Sequence, residues 1–92
     1  MIGNVLELNV DNKNVMESDL ITLKVNSSNI DTVKYHKLAN EMIIKFNRGT
    51  TYLYKGVDVQ TMVDLVSLAM NGGSVGKFFH QFIKQHECYK KI

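Results

Sequence analysis

The spacing of apolar residues changes once along this chain, near residue 56, and that change limits the fold more than any other feature. Before it, apolar residues alternate in short runs, the period of a strand with one buried face. Leu6, Leu8 and Val10 share a face of residues 4–10. Residues 20–25, 32–37, 42–47 and 50–55 give further short β candidates, with Met42, Ile44 and Phe46 on one face and Tyr52 and Tyr54 on another. The breaks between them are polar or glycine-bearing, as turns require: Asp11 to Asn14, Ser27 to Asn29, Leu38 to Glu41, and Arg48-Gly49. Such quick succession suits an antiparallel meander.

After residue 56 the period becomes helical. Asp58 is a good N-cap for a helix over about 59–70. At about 100° per residue, Val59, Met62, Val63, Val66, Ala69 and Met70 form one apolar stripe. Gln60, Asp64 and Ser67 lie opposite, and Leu68 falls among them, where a monomer has no use for it. Asn71-Gly72-Gly73 ends this helix and Ser74 caps a second, about 75–87. In the second helix Phe78, Phe79, Phe82 and Ile83 make the buried side, while Lys77, His80, Gln81 and Lys84 face away. The expected fold is therefore α+β: a small antiparallel β-meander followed by two C-terminal helices packed on one face. At 92 residues it is a single domain.

No basic, apolar leader opens the chain, and its most apolar stretch is broken by Asp64 and Ser67, so a cytoplasmic protein with no membrane partner is expected. One cysteine, Cys88, excludes an internal disulfide and a Cys-Cys zinc pair. The histidines, His36, His80 and His86, show no metal-ligand spacing, with His86 read as a packed edge residue. No metal or cofactor is expected. Nor do paired carboxylates or an activated nucleophile appear, so the expectation is not an enzyme.

Net charge is +2, from 11 basic and 9 acidic residues, but it is unevenly spread. Residues 1–22 hold Lys13 against Glu7, Asp11, Glu17 and Asp19. The basic excess lies beyond them, strongest at the C-terminal end with Lys77, Lys84, Lys90 and Lys91 against Glu87. A protein that binds long nucleic acid normally shows a larger excess, because neutralised phosphates supply most of the affinity. A small phosphorylated ligand needs only a few donors and an aromatic contact.

Several residues fit such a ligand, each with a plainer structural reading beside it. Gly72 to Lys77 runs into a helix start, where free N–H groups favour an anion. It is not a phosphate-binding P-loop, since its glycine spacing is one residue short and Phe78 stands where Ser or Thr is needed. The plain reading is a helix end followed by a cap. Ser74 and Gly76 would donate hydrogen bonds, and Lys77, Lys84 and Arg48 would hold phosphate. Tyr52, Tyr54 or His80 would contact base or ribose, or else pack at the core edge. Arg48, the only arginine, sits in a turn and is either a phosphate fork or a solvated charge. Asn29, with Ser27 and Ser28, offers further hydrogen bonds or caps its own turn.

From about Val25 onward the chain resembles a KTSC domain, a small module found at the C-terminus of some lysyl-tRNA synthetases and as a stand-alone bacterial or phage protein. The resemblance rests on Ser27 to Ile30, Tyr35, Phe46 and Gly49, on Tyr52-Leu53-Tyr54 matching the family's Y-x-Y, on Gly56-Val57, on Gly73 to Phe79, and on Ile83-Lys84 and Tyr89. Asp58 replaces a usual proline and His80 a frequent asparagine. The resemblance divides the chain into an N-terminal extension, 1–22, read as an added edge strand or an exchanged segment, and a KTSC-like region, 23–92. It implies RNA binding as one function, as an accessory module on RNA or tRNA.

Charge and resemblance together favour a different one: a non-catalytic binder that sequesters a small or cyclic nucleotide signal. In a phage-encoded form, acting in the host cytoplasm, that signal would be one used in antiviral defence. Leu68 and the small domain size suggest a homo-oligomer with the pocket between protomers. A protein-interaction module using an exposed apolar helix face is the remaining alternative.

Overall fold

A computed structural model describes residues 5–10, 20–84 and 88–91. Five strands come first: β1 (Val5–Val10), β2 (Leu20–Val25), β3 (Ile30–His36), β4 (Glu41–Phe46) and β5 (Thr51–Lys55). Helix α1 (Val59–Met70) and the single turn α2 (Val75–Phe78) follow, and α2 runs on into a π-helical stretch, Phe79–Ile83. Strand β6 (Cys88–Lys91) closes the chain. The six strands form one antiparallel sheet in sequence order. This is the expected α+β meander with its helices on one face, lengthened by β6, which returns to pair with β5. β1 lies at one edge of the sheet beside β2, which runs across residue 22.

Alternation sets the faces. Leu23, Val33 and Ile44 are cross-strand partners in turn, as are Tyr35, Met42 and Tyr54, and all are buried. Against this face pack Met62, Leu65 and Ala69 of α1, with Val75, Phe78, Phe79 and Ile83. Burying an aliphatic side chain of this kind contributes about 1.5–3 kcal/mol. The opposite face carries Thr22, Lys24, Lys34, Lys45 and Thr51 around a depression of about 440 Å³. In β1 a register shift between Val5 and Glu7 breaks the expected face. Val5 is buried opposite Val25, whereas Leu6 is exposed.

The helices depart from the expected stripes. Helix α1 has the anticipated bounds, and its Asp58 cap accepts from the Thr61 N–H at 3.0 Å and from the Thr61 hydroxyl at 2.9 Å. Its buried residues are Met62, Leu65 and Ala69, while Val59, Val63 and Met70 are exposed. The helix is thus rolled so that Leu68 is half-buried against the core, which weakens the argument for a homo-oligomer drawn from it. The stop after Met70 turns through Gly72, whose φ is 82°, and Leu68 then leaves no room for a side chain at Gly73. A Cβ on Gly73 would stand 2.5 Å from Leu68 Cγ and 3.1 Å from the Leu68 carbonyl oxygen. Gly73→Ala is expected to lower stability by about 1–3 kcal/mol, the usual cost of overpacking, measured as a shift in the urea midpoint.

The second helix is wider than its apolar pattern predicts. Lys84 N–H donates to the Phe79 carbonyl at 2.8 Å, a bond spanning five residues. The extra residue in that turn keeps Phe79 and Ile83 inside and swings Phe82 out, where it is 48% exposed beside the Phe78 ring. The continuation expected over 85–87, with His86, lies outside the described residues.

Tyr35 ties the sheet to the loop before α1. Its hydroxyl, on a fully buried side chain, donates to the Val57 carbonyl at 2.7 Å. Burial, and secondarily the negative charge of Asp58, push the phenol above its ordinary range. A raised pKa in the folded state means the folded chain holds that proton more tightly than the unfolded chain. The contribution is therefore full below about pH 10, the unfolded value, and is lost as pH rises through the folded one. Alkaline melts of the native chain are expected to fall faster above that pH than those of Tyr35→Phe.

Among the described residues, no helix is long and apolar enough to cross a membrane.

Candidate functional site

Two loops and one helix turn meet at one end of the sheet. The β2–β3 loop holds itself locally: Ser27 Oγ accepts from the N–H groups of Asn29 and Ile30 at 3.4 and 3.5 Å. The β4–β5 turn closes through Phe46 N–H to the Thr50 carbonyl and Gly49 N–H to the Phe46 carbonyl, each 2.8 Å. Gly49 has φ of 95°, which a side chain would strain. Asn47 then joins the loops. Its N–H donates to the Asn29 carbonyl and its Nδ2 to the Ser27 carbonyl, both at 2.8 Å. Asn29 and Arg48 are brought to one rim by these bonds.

The third wall comes from α2 and the π-helical stretch, which supply Gly76, Phe79 and His80. Together with Ser28, Asn29, Ile30, Phe46, Asn47, Arg48, Thr50 and Tyr52 they enclose a half-open cleft of about 500 Å³. That volume lies within the range of small-molecule sites, about 300–1,000 Å³. It is formed within a single chain. The floor is aromatic. Phe79 meets Phe46 edge-on at 5.5 Å, Tyr54 at 5.6 Å and His80 at 5.5 Å, and Phe46 meets Tyr52 at 5.9 Å. Such edge contacts fix ring orientation.

Of the nine residues expected to touch a ligand, Asn29, Arg48, Tyr52, Gly76 and His80 line this cleft. Four do not. Tyr54 shares a face with Tyr52 but is buried under Phe79, so the two tyrosines of the Y-x-Y divide into a cleft wall and a core residue. Ser74 spends its hydroxyl as a cap, accepting from the Lys77 N–H at 3.2 Å. Lys77 and Lys84 are exposed outside the cleft. With α2 only one turn long and that donor taken, the glycine-rich segment serves as a helix end followed by a cap.

Ser28, offered with Asn29 as a hydrogen-bond donor, also lines the cleft, whereas Asn47 and Thr50 as polar wall residues and Phe46 and Phe79 as its floor were missed. Asn47 and Thr50 flank Arg48-Gly49, so that turn was their available signal. Chemically the cleft offers one guanidinium, one imidazole, two carboxamides, several hydroxyls and an aromatic base. No carboxylate stands among the described residues that line it. Among the described residues, no three of His, Cys, Asp and Glu gather as metal ligands.

Residues 26–89 match the family model described as the KTSC domain. No curated protein matches the chain. Within the matched region, Asp58, which stands where the family usually has proline, is the side-chain cap of α1. His80, where asparagine is frequent, lines the cleft.

Proposed function

This chain belongs to the KTSC family, and we propose that it is a non-catalytic binder that sequesters a small nucleotide in the cleft between its β2–β3 loop, β4–β5 turn and π-helical stretch. The observation that carries this reading is the gathering of Arg48, Asn29, Asn47 and His80 over an aromatic floor. A guanidinium forks onto phosphate oxygens, carboxamides pair with the polar edge of a base, and Tyr52 gives the base or ribose a ring to lie against. The proposed act is binding alone. A phage-encoded sponge for a host defence signal is the concrete biological form of the proposal. Calorimetry against cyclic and linear nucleotides tests it, with binding in the micromolar range expected. Affinities no tighter than about 1 mM, roughly −4 kcal/mol, would dismiss it.

The lysines of the outer sheet face favour a second reading, an accessory RNA module. That reading requires steep weakening of RNA binding with salt, and a slope near zero would exclude it.

A further inference from the structure

The charge inventory of the cleft goes further than its shape. Among the described residues that line it, there is one fixed cation, Arg48, and one imidazole, His80. Lys77 and Lys84 face elsewhere, and no described lining residue is a carboxylate. Phosphate sites that take triphosphates differ on both counts: they gather several positive groups, and they hold Mg²⁺ with the help of a carboxylate beside the phosphates. Here a triphosphate would bring several negative charges against one guanidinium, with no acidic side chain to retain its metal. Each surplus charge drawn into a half-enclosed, aromatic-floored cleft loses water without gaining a partner.

A phosphodiester carries a single negative charge, which one guanidinium matches. A terminal phosphate ester carries about −1.5 to −2 at pH 7 and is matched less well. Resting on the nucleotide reading above, we infer that the cleft selects a phosphodiester monoanion, the cyclic form of a nucleotide, over its mono- and triphosphate esters, and does so without a divalent metal. The remaining groups fit that ligand. Asn29 and Asn47 can contact a base without adding charge, and Phe46, Phe79 and Tyr52 provide apolar surface for a ring system with little charge around it.

The test is a charge series at constant base: nucleoside, cyclic monophosphate, 5′-monophosphate and triphosphate of each of the four bases, titrated calorimetrically with EDTA and again with Mg²⁺. For the preferred base, the cyclic form is expected to bind at least tenfold tighter than both the nucleoside and the triphosphate, with Mg²⁺ changing nothing. Arg48→Gln is expected to bring the cyclic form down to the level of the nucleoside. Affinity that instead rises from cyclic form to triphosphate, or that requires Mg²⁺, overturns the inference while leaving the nucleotide reading intact. If no member of any series binds, both fall together.

Discussion

Arg48→Ala is expected to weaken nucleotide binding by about 10- to 100-fold while leaving the thermal melt unchanged. Hydrogen bonds to charged groups are worth about 1.5–3 kcal/mol, and each 1.4 kcal/mol is a factor of ten. Among the described residues that line the cleft Arg48 is the one fixed cation, so none of the others takes up its share. It sits exposed at the tip of the β4–β5 turn, whose backbone bonds run through Phe46, Gly49 and Thr50 and do not involve its side chain. Stability and affinity therefore separate at this residue. Arg48→Lys is expected to recover only part of the loss, because an ammonium keeps the charge but not the planar fork. Isothermal titration beside a circular dichroism melt checks both halves.

The second large effect is on the fold. Phe79→Ala is expected to cost about 3–5 kcal/mol, as truncations of buried aromatic residues do. Small domains have only about 5–15 kcal/mol in total. Phe79 is 6% exposed, and its ring meets Phe46, Tyr54 and His80 at once. Truncating it opens a cavity beneath the cleft and releases the imidazole from its edge contact. A large fall in melting temperature is expected, with most ligand affinity lost. Phe79→Leu keeps most of the buried volume and gives up the ring contacts. It is expected to stay folded yet bind several-fold more weakly, which distinguishes a floor that orients the site from one that merely fills space.

The two halves of the sequence were not equally legible. The strands were, because alternation with polar breaks leaves little freedom in register, and Met42, Ile44, Tyr35 and Tyr54 all lie on the covered face. Helix α1 was legible in its ends, through Asp58 and the Asn71 to Gly73 stop, but not in its rotation. Eight apolar positions on twelve residues allow more than one stripe, and the choice fell to the packing of Leu65 and Leu68 on the core. The π-helical stretch had no local signature. Its pattern of Phe79, Phe82 and Ile83 reads as an ordinary helix until the Lys84 to Phe79 bond adds a residue to the turn. Strand β6 depends on a partner, β5, far away in sequence, so local pattern gave no reason to expect it.

For the site, residue chemistry went part of the way. Arg48, Asn29, Tyr52 and His80 were chosen for what their side chains do and Gly76 for a backbone hydrogen bond, and Asn29 and Arg48 meet because Asn47 bonds one loop to the other. Lys77 and Lys84 were chosen by the same logic and stand outside, because charge along a helix does not say which way the helix is turned. Tyr54 was one step along the same face from Tyr52, and only the position of Phe79 separates a wall from a core residue.

The central claim is that the ligand sits in this cleft. Its most direct test is a nucleotide titration of the isotopically labelled protein followed by amide and side-chain NMR shifts. The account predicts saturable shifts confined to Asn29, Asn47, Arg48, Tyr52, Gly76 and His80, with Lys24, Lys34 and Lys45 on the far face unmoved. Shifts that cluster on those three lysines, or none at millimolar ligand, would contradict it.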